Sequence, residues 1–356
     1  MLLEKTIGAI GGLEEKPMQE AQQRLDSLIK PPGSLGRLEE IAVRLAGITG
    51  RSRPTIKDRA VIIMAGDHGV VDEGVSVAPR EITWQQIPAF LKGVAGIGVL
   101  ARLAGARLVV VDVGVAVPVD YPGVLKRKVR AGTGNIARGP AMTREEAVQA
   151  LEVGIAVAQE EIDRGADLLA LGDMGIGNTT PSSAILSALG GYPPEEATGR
   201  GTLVNDQVLA RKVEVVKQAL AVNRPDPADA LDVLAKVGGL EIGGLAGVVL
   251  GAAARRVPVL IDGFITTAAA MIAASLQPRC RQFIFASHLS GEQGHRLMLE
   301  WLDLVPMMNL GMRLGEGTGA ALAMHLVEAA CRVINEMASF DEMGLSGLDE
   351  EKIMKN

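Results

Sequence analysis

The stretch DLLALGDMGIGNTTPS, residues 167–182, decides the architecture. Its first part, 167–171, is apolar on both parities, the pattern of a strand buried on both faces, as in a parallel sheet covered by helices. The remainder, 172–182, is a glycine-rich turn that runs into a helix start. Four other runs have the same texture: 60–65, 107–113, 257–261 and 282–286. Each ends in a Gly- or Asp-rich loop followed by a helix-like segment, so an α/β class with a buried parallel sheet is expected. Ligands of such sheets sit beyond the carboxyl ends of the strands, and every polar cluster of interest falls there.

Outside this region the chain reads as amphipathic helix. Met18, Ala21, Leu25, Leu28 and Ile29 recur at helical spacing, and so do Leu38, Ile41, Ala42, Leu45 and Ile48. Between them Lys30-Pro31-Pro32-Gly33-Ser34 makes a rigid corner, with Ser34 a candidate N-cap for the second helix. Near the other end Leu322, Leu326, Ala329, Val333 and Met337 keep helical period, which suggests that both terminal segments pack into a small helical subdomain.

Hydrophobic residues make up 48% of the 356, yet aromatics are only 3% and glycines number 43, so the core should be closely packed Ala, Val, Leu and Ile. The net charge of −6 comes without a block of like charges, which speaks against a nucleic-acid arm. Cys280 and Cys331 are too few for a disulfide framework and fit a reducing compartment, with cytoplasm the expectation. No signal peptide is read in MLLEKTIGAIGG, and 240–254, the most apolar helix candidate, is too short to span a bilayer.

Several clusters carry chemistry, each with a plainer alternative. In Leu310–Ala320, LGMRLGEGTGA, Glu316 stands between Gly315 and Gly317 just before a helical run, as a positioned base would, or as a solvent-facing residue in a capping turn. The 172–182 turn, with Gly175, Gly177, Asn178 and Thr179, offers backbone donors at a helix start for a phosphate, or is a plain turn with Thr caps. It matches neither GxGxxG nor a P-loop. Gly199-Arg200-Gly201-Thr202, followed by Arg211 and Lys212, could add a second donor set and a cation. A surface lysine is the plainer reading of Lys212. Asp262, at a strand end, is placed to accept from ribose hydroxyls. Asp67-His68 reads as loop-shaping or ligand lining before catalysis. Ser287 and His288 raise a hydrolase, but no Gly-x-Ser-x-Gly elbow occurs, and the histidines lack metal spacing.

With these stretches in hand, the sequence resembles the nicotinate-nucleotide:dimethylbenzimidazole phosphoribosyltransferase family. The matching blocks run nearly end to end: KPPGSLGRLEEIA from Lys30, AGDHGV from Ala65, VVDVGV from Val110, GPAMTREEA from Gly139, GDMGIGNTTPSSAI from Gly172, VLIDGFITTAAA from Val259, ASHLSGEQGH from Ala286 and LGMRLGEGTGAALA from Leu310.

The resemblance implies a Rossmann-like, three-layer α/β/α core with a mainly parallel sheet, over 55–320. A small helical domain would be formed by the N- and C-terminal segments, 1–54 and 321–356. It implies an enzyme that moves the phosphoribosyl group of nicotinate mononucleotide onto dimethylbenzimidazole, with no cofactor and no metal, acting as a homodimer; no nucleic-acid partner and no membrane span are expected from the charge pattern and the apolar segments.

By the same resemblance Glu316 is the catalytic base and Asp173 the second acid, where the family more usually has Glu. Gly175, Lys212, Asp262 and Ser290 would bind phosphate and ribose, and Ser76, Gln85, Met312 and Leu314 would line the base pocket. Leu203 stands where the family commonly has Gly. A paralogue using another acceptor, such as adenine or a phenol, and a non-catalytic nucleotide sensor are the alternatives.

Overall fold

The computed structural model describes residues 1–201 and 205–345. Thr202 and Leu203, named above, lie outside the described residues. The chain divides into two compact units, one of residues 1–11 and 58–323, the other of 12–57 and 324–356.

The larger unit is built on six strands, β1 (Arg59–Gly66), β2 (Arg107–Gly114), β3 (Val124–Lys126), β4 (Leu168–Met174), β5 (Val259–Ile261) and β6 (Ile284–Ala286). They form one sheet in the order β3-β2-β1-β4-β5-β6, and every pairing is parallel. The five strands expected from apolar runs are present. The short β3, with Val124 buried, Leu125 half-buried and Lys126 exposed, carried no such run. The sheet grows outward in both directions from the β1–β4 pair, so the loops after these two strands diverge and leave a crevice at their carboxyl ends.

Small residues let the covering helices approach closely. Helix Leu240–Ala254 is buried at every position but its last and packs along Arg144–Asp163. A Cβ on Gly154 would stand 1.8 Å from the Gly244 carbonyl oxygen, and one on Gly247 would stand 2.0 Å from that of Leu151. Only glycine allows backbones this near, which explains how a core so poor in aromatics fills its space.

Ile82–Leu103 has the length and mean hydropathy, 1.2, to cross a membrane on those criteria alone. It is split into helices Ile82–Leu91 and Gly96–Leu103, which bury Ile87, Phe90, Ile97 and Ala101 and pack on β2.

The first helix, Leu2–Ala9, belongs to this larger unit and not to the helical one expected from its terminal position. Its Leu3 N–H donates to Glu152 at 3.1 Å, and its Ile7 carbonyl accepts from Gln277 at 3.1 Å.

In the second unit helices Glu15–Ser27 and Arg37–Thr49 pack together. The corner between them carries a buried Lys30–Glu39 ion pair at 2.9 Å. The N-cap of the second helix is Gly36, at φ +49°, and not Ser34. The Ile29 N–H donates to the Ala338 carbonyl at 3.0 Å, and the Phe340 N–H to that of Ser27 at 3.1 Å, which ties the two chain ends into one unit.

Candidate active site

Three successive residues, Gly315, Glu316 and Gly317, have positive φ values of +83°, +62° and +90°. A left-handed glutamate costs about 1–2 kcal/mol and persists only where its surroundings over-determine it. Here they do. Asp262, leaving β5, accepts from the N–H groups of Gly317 (3.1 Å), Gly319 (2.7 Å) and Ala320 (3.1 Å), and so caps helix Thr318–Glu336. Gly172 in β4 makes room, since a Cβ there would stand 2.4 Å from the Glu316 carbonyl oxygen.

The Glu316 side chain is therefore 7% exposed and lines a cavity of about 310 Å³, which excludes a solvent-facing turn. Its Oε1 accepts from Gln86 Nε2 at 3.2 Å. Burial raises its pKa above the usual carboxylate range, while the Gln86 amide and the Ile97 N–H oppose the rise.

Lys212 lines the same cavity. Its ammonium is buried and donates to Thr179 Oγ1 and to the Gly199 carbonyl, both at 2.9 Å. Burial pulls its pKa down to about 8, and the charge of Glu292 works against that. Thr179 begins helix Thr179–Gly190, whose N-terminus turns its positive end to the same place. Gly177, at φ +89°, keeps the turn tight, and a Cβ on it would stand 2.7 Å from Val71. The turn's donors are partly spent inside the fold. The Ile176 N–H goes to Thr83 Oγ1 (3.1 Å) and the Asn178 N–H to the Gly175 carbonyl (3.2 Å). Gly175, Gly177, Asn178, Thr179, Gly201 and Ser290 all line the cavity.

Asp173, at the end of β4, lines the cavity as well. Its Oδ2 accepts from Asn178 Nδ2 at 2.9 Å, so Asn178 serves the carboxyl more than the turn. Burial, followed by the negative field of Asp262, pushes its pKa up to about 8. Near neutral pH it is mostly protonated and sets no second full charge beside Glu316.

Four sequence expectations change. Asp262, expected to accept from ribose hydroxyls, is not among the residues that line the cavity, and its oxygens accept from the 317–320 backbone. Gln85 is exposed, and its neighbour Gln86 faces the cavity, one helical turn from Ile82 on the same face. Met312 does not line the cavity and holds Gly291 through its carbonyl (2.9 Å), whereas Ser76 and Leu314 do line it. Arg211 pairs with Glu73 at 2.6 Å and does not line the cavity, whose cationic side chains include Lys212, Arg200 and Arg313.

His68 and Asp67 shape their loop: His68 Nε2 meets the buried Glu241 at 2.6 Å, and Asp67 accepts from the Ala116 N–H at 2.7 Å. Sequence reasoning missed Gln86, His288 and Glu292 as lining residues. The period of helix Ile82–Leu91 could have placed Gln86 with Ile82.

A parallel α/β crevice with a phosphate-sized cationic end, facing a buried carboxylate, defines a class: enzymes that hold a nucleotide and transfer a group from it. The chain belongs to the phosphoribosyltransferase family DBI_PRT, whose model matches residues 10–345. A relative from Roseiflexus sp. (strain RS-1) is 56% identical over 347 residues, 97% of this chain and 98% of its own length. One from Desulforamulus reducens is 56% identical over 97% of this chain and 99% of its own. Both carry the name nicotinate-nucleotide--dimethylbenzimidazole phosphoribosyltransferase. The crystal structure of CobT from Thermus thermophilus is 49% identical and superposes with a TM-score of 0.90, covering 93% of this chain and 99% of that one.

Proposed function

We propose that this chain transfers the 5-phosphoribosyl group of nicotinate mononucleotide to 5,6-dimethylbenzimidazole, giving α-ribazole phosphate and nicotinate. The names carried by its relatives support the reaction, and one observation supports the mechanism: the buried carboxylate of Glu316 lines the same cavity as the buried Lys212 and the N-terminus of helix Thr179–Gly190.

Nicotinate joined through its ring nitrogen is a pyridinium, so it leaves as a neutral heterocycle and needs no general acid. The incoming ring nitrogen attacks with its lone pair, and its partner N–H becomes acidic. Glu316 takes that proton from within ~3 Å, a contribution of ~10²–10⁴ in rate. Attack opposite the leaving group inverts the anomeric carbon. Lys212, Thr179 and the 175–179 turn anchor the phosphate, so that binding energy far from the reacting carbon aligns it. Asp173 borders the reaction as a largely neutral acid. Ser76, Ile82 and Leu314 offer a mainly apolar wall to the flat benzimidazole.

A cytoplasmic homodimer belongs to the same proposal. Exposed Val94, Val99 and Leu103 support a face that a second copy covers, and two buried cysteines that form no disulfide suit a reducing compartment. The reaction is tested by mass identification of products after incubation with nicotinate mononucleotide and a panel of bases. Release of nicotinate with a ribosylated benzimidazole is expected, and transfer only to adenine or a phenol would assign another acceptor. Sedimentation reads the dimer.

A further inference from the structure

Arg211, expected beside the phosphate, is held instead by Glu73, a residue that joins separate segments of the fold. Glu73 ends the short helix Gly69–Glu73, directly ahead of Gly74 and the lining residues Val75 and Ser76. Its side chain is only 10% exposed. Its Oε1 accepts from Asn135 Nδ2 (2.8 Å) and Arg138 Nε (3.0 Å), its Oε2 from Arg211 Nη2 (2.6 Å), and its carbonyl from Arg211 Nε (3.0 Å). These donors, Asn135 first, hold the carboxyl below the usual carboxylate range, so it is ionised in neutral solution.

Helix Asp206–Asn223 carries Arg211 and Lys212 side by side. Successive residues of a helix leave its axis about 100° apart, so the direction in which Arg211 is held sets the direction of Lys212. Lys212 is buried on the same helix as Val215, Val216 and Ala219, and its ammonium meets Thr179 and the Gly199 carbonyl. Further along, Gln218 Nε2 donates to the Ala137 carbonyl at 3.0 Å and Asn223 Nδ2 to that of Ile136 at 2.7 Å. The helix is thus tied along its length to Glu73 and to the segment 135–138 that also holds Glu73. That segment lies against the start of the short helix, where a Cβ on Gly69 would stand 2.7 Å from the Asn135 nitrogen.

Resting on Lys212 as the phosphate anchor proposed above, we infer that Glu73 is a positioning residue for nucleotide binding: through Arg211 it sets the rotation of helix Asp206–Asn223 and thereby the reach of Lys212. Glu73 does not line the cavity, so it acts only through the groups it holds. Several charge-assisted bonds converging on one carboxylate supply a stiffness that an isolated surface pair lacks.

The test is a double-mutant cycle read by equilibrium binding of nicotinate mononucleotide to the full chain. Glu73→Ala and Arg211→Ala should each raise Kd by at least about threefold in the wild-type background. Neither should raise it further in the Lys212→Met background, where the residue they place is gone. A merely structural role would weaken binding equally in both backgrounds, and that outcome overturns the inference. So does a change below about threefold for Arg211→Ala in folded protein. The Arg211 side chain is half exposed, so this variant keeps the test decisive where Glu73→Ala does not fold. Wild-type affinity in Lys212→Met defeats the proposed phosphate anchor, and this inference with it. Tight binding without transfer to any base defeats the proposed reaction alone, and the Kd cycle still decides this inference. Absence of all binding defeats both.

Discussion

Gln86 Nε2 donates to Glu316 Oε1 at 3.2 Å, and this bond fixes one oxygen of the buried carboxylate against helix Ile82–Leu91. A donor on one oxygen orients the group and favours its charged form, against the burial that raises its pKa.

Glu316→Gln should therefore keep the fold and nucleotide binding while kcat falls by ~10²–10⁴, the usual contribution of a general base. Single-turnover rates and binding isotherms check this. Wild-type turnover in the variant would remove Glu316 from the mechanism.

Gln86→Leu should lower kcat and move the rising limb of its pH profile upward, because the donor that favours the ionised form is lost. Gln85→Leu, on an exposed position, should leave the profile in place. Equal effects of the two would contradict the observed helix face.

Asp173 is raised from an ordinary 3.8 to about 8, so between those values the folded chain holds a proton that the unfolded chain has lost. Its contribution to stability is complete below about pH 4 and declines as pH rises through about 8. Asp173→Asn keeps the shape and removes the titration. Its melting temperature should gain on that of wild type steadily across the window, and parallel curves would show that Asp173 stays ionised.

Lys212, lowered from 10.5 to about 8, should hold the phosphate best below that value. Binding of nicotinate mononucleotide should weaken above about pH 8, by up to roughly tenfold per unit as the ammonium loses its proton. Lys212→Met should bind weakly and with a flat profile in this range, as titration calorimetry would show.

Asp262→Ala leaves three buried N–H groups without their acceptor. A loss of about 1–3 kcal/mol in stability is expected, with turnover falling further than the stability change explains, because the left-handed Glu316 loop loses its clamp. Denaturant melts and kcat on the folded fraction separate the two effects.

Local pattern settled the sheet, since runs apolar on both parities can be satisfied only by burial on both faces. The same holds for the glycine turns that end β4 and precede Glu316, where short-range sterics admit few residues. The family was also legible, because long blocks in one order identify it without coordinates. Strand order and the aim of individual side chains depended on partners far along the chain. Asp262 reads like a ribose ligand until residues 317–320 fold over it, and Gln85 and Gln86 differ only by the rotation of one helix against the sheet. Glu292 looks like an ordinary loop residue until the carbonyls of Met308 and Met312 hold its segment through the Leu289 and Gly291 N–H groups. Which polar atoms remain unpartnered is a property of the whole packing, and tertiary structure alone decided it.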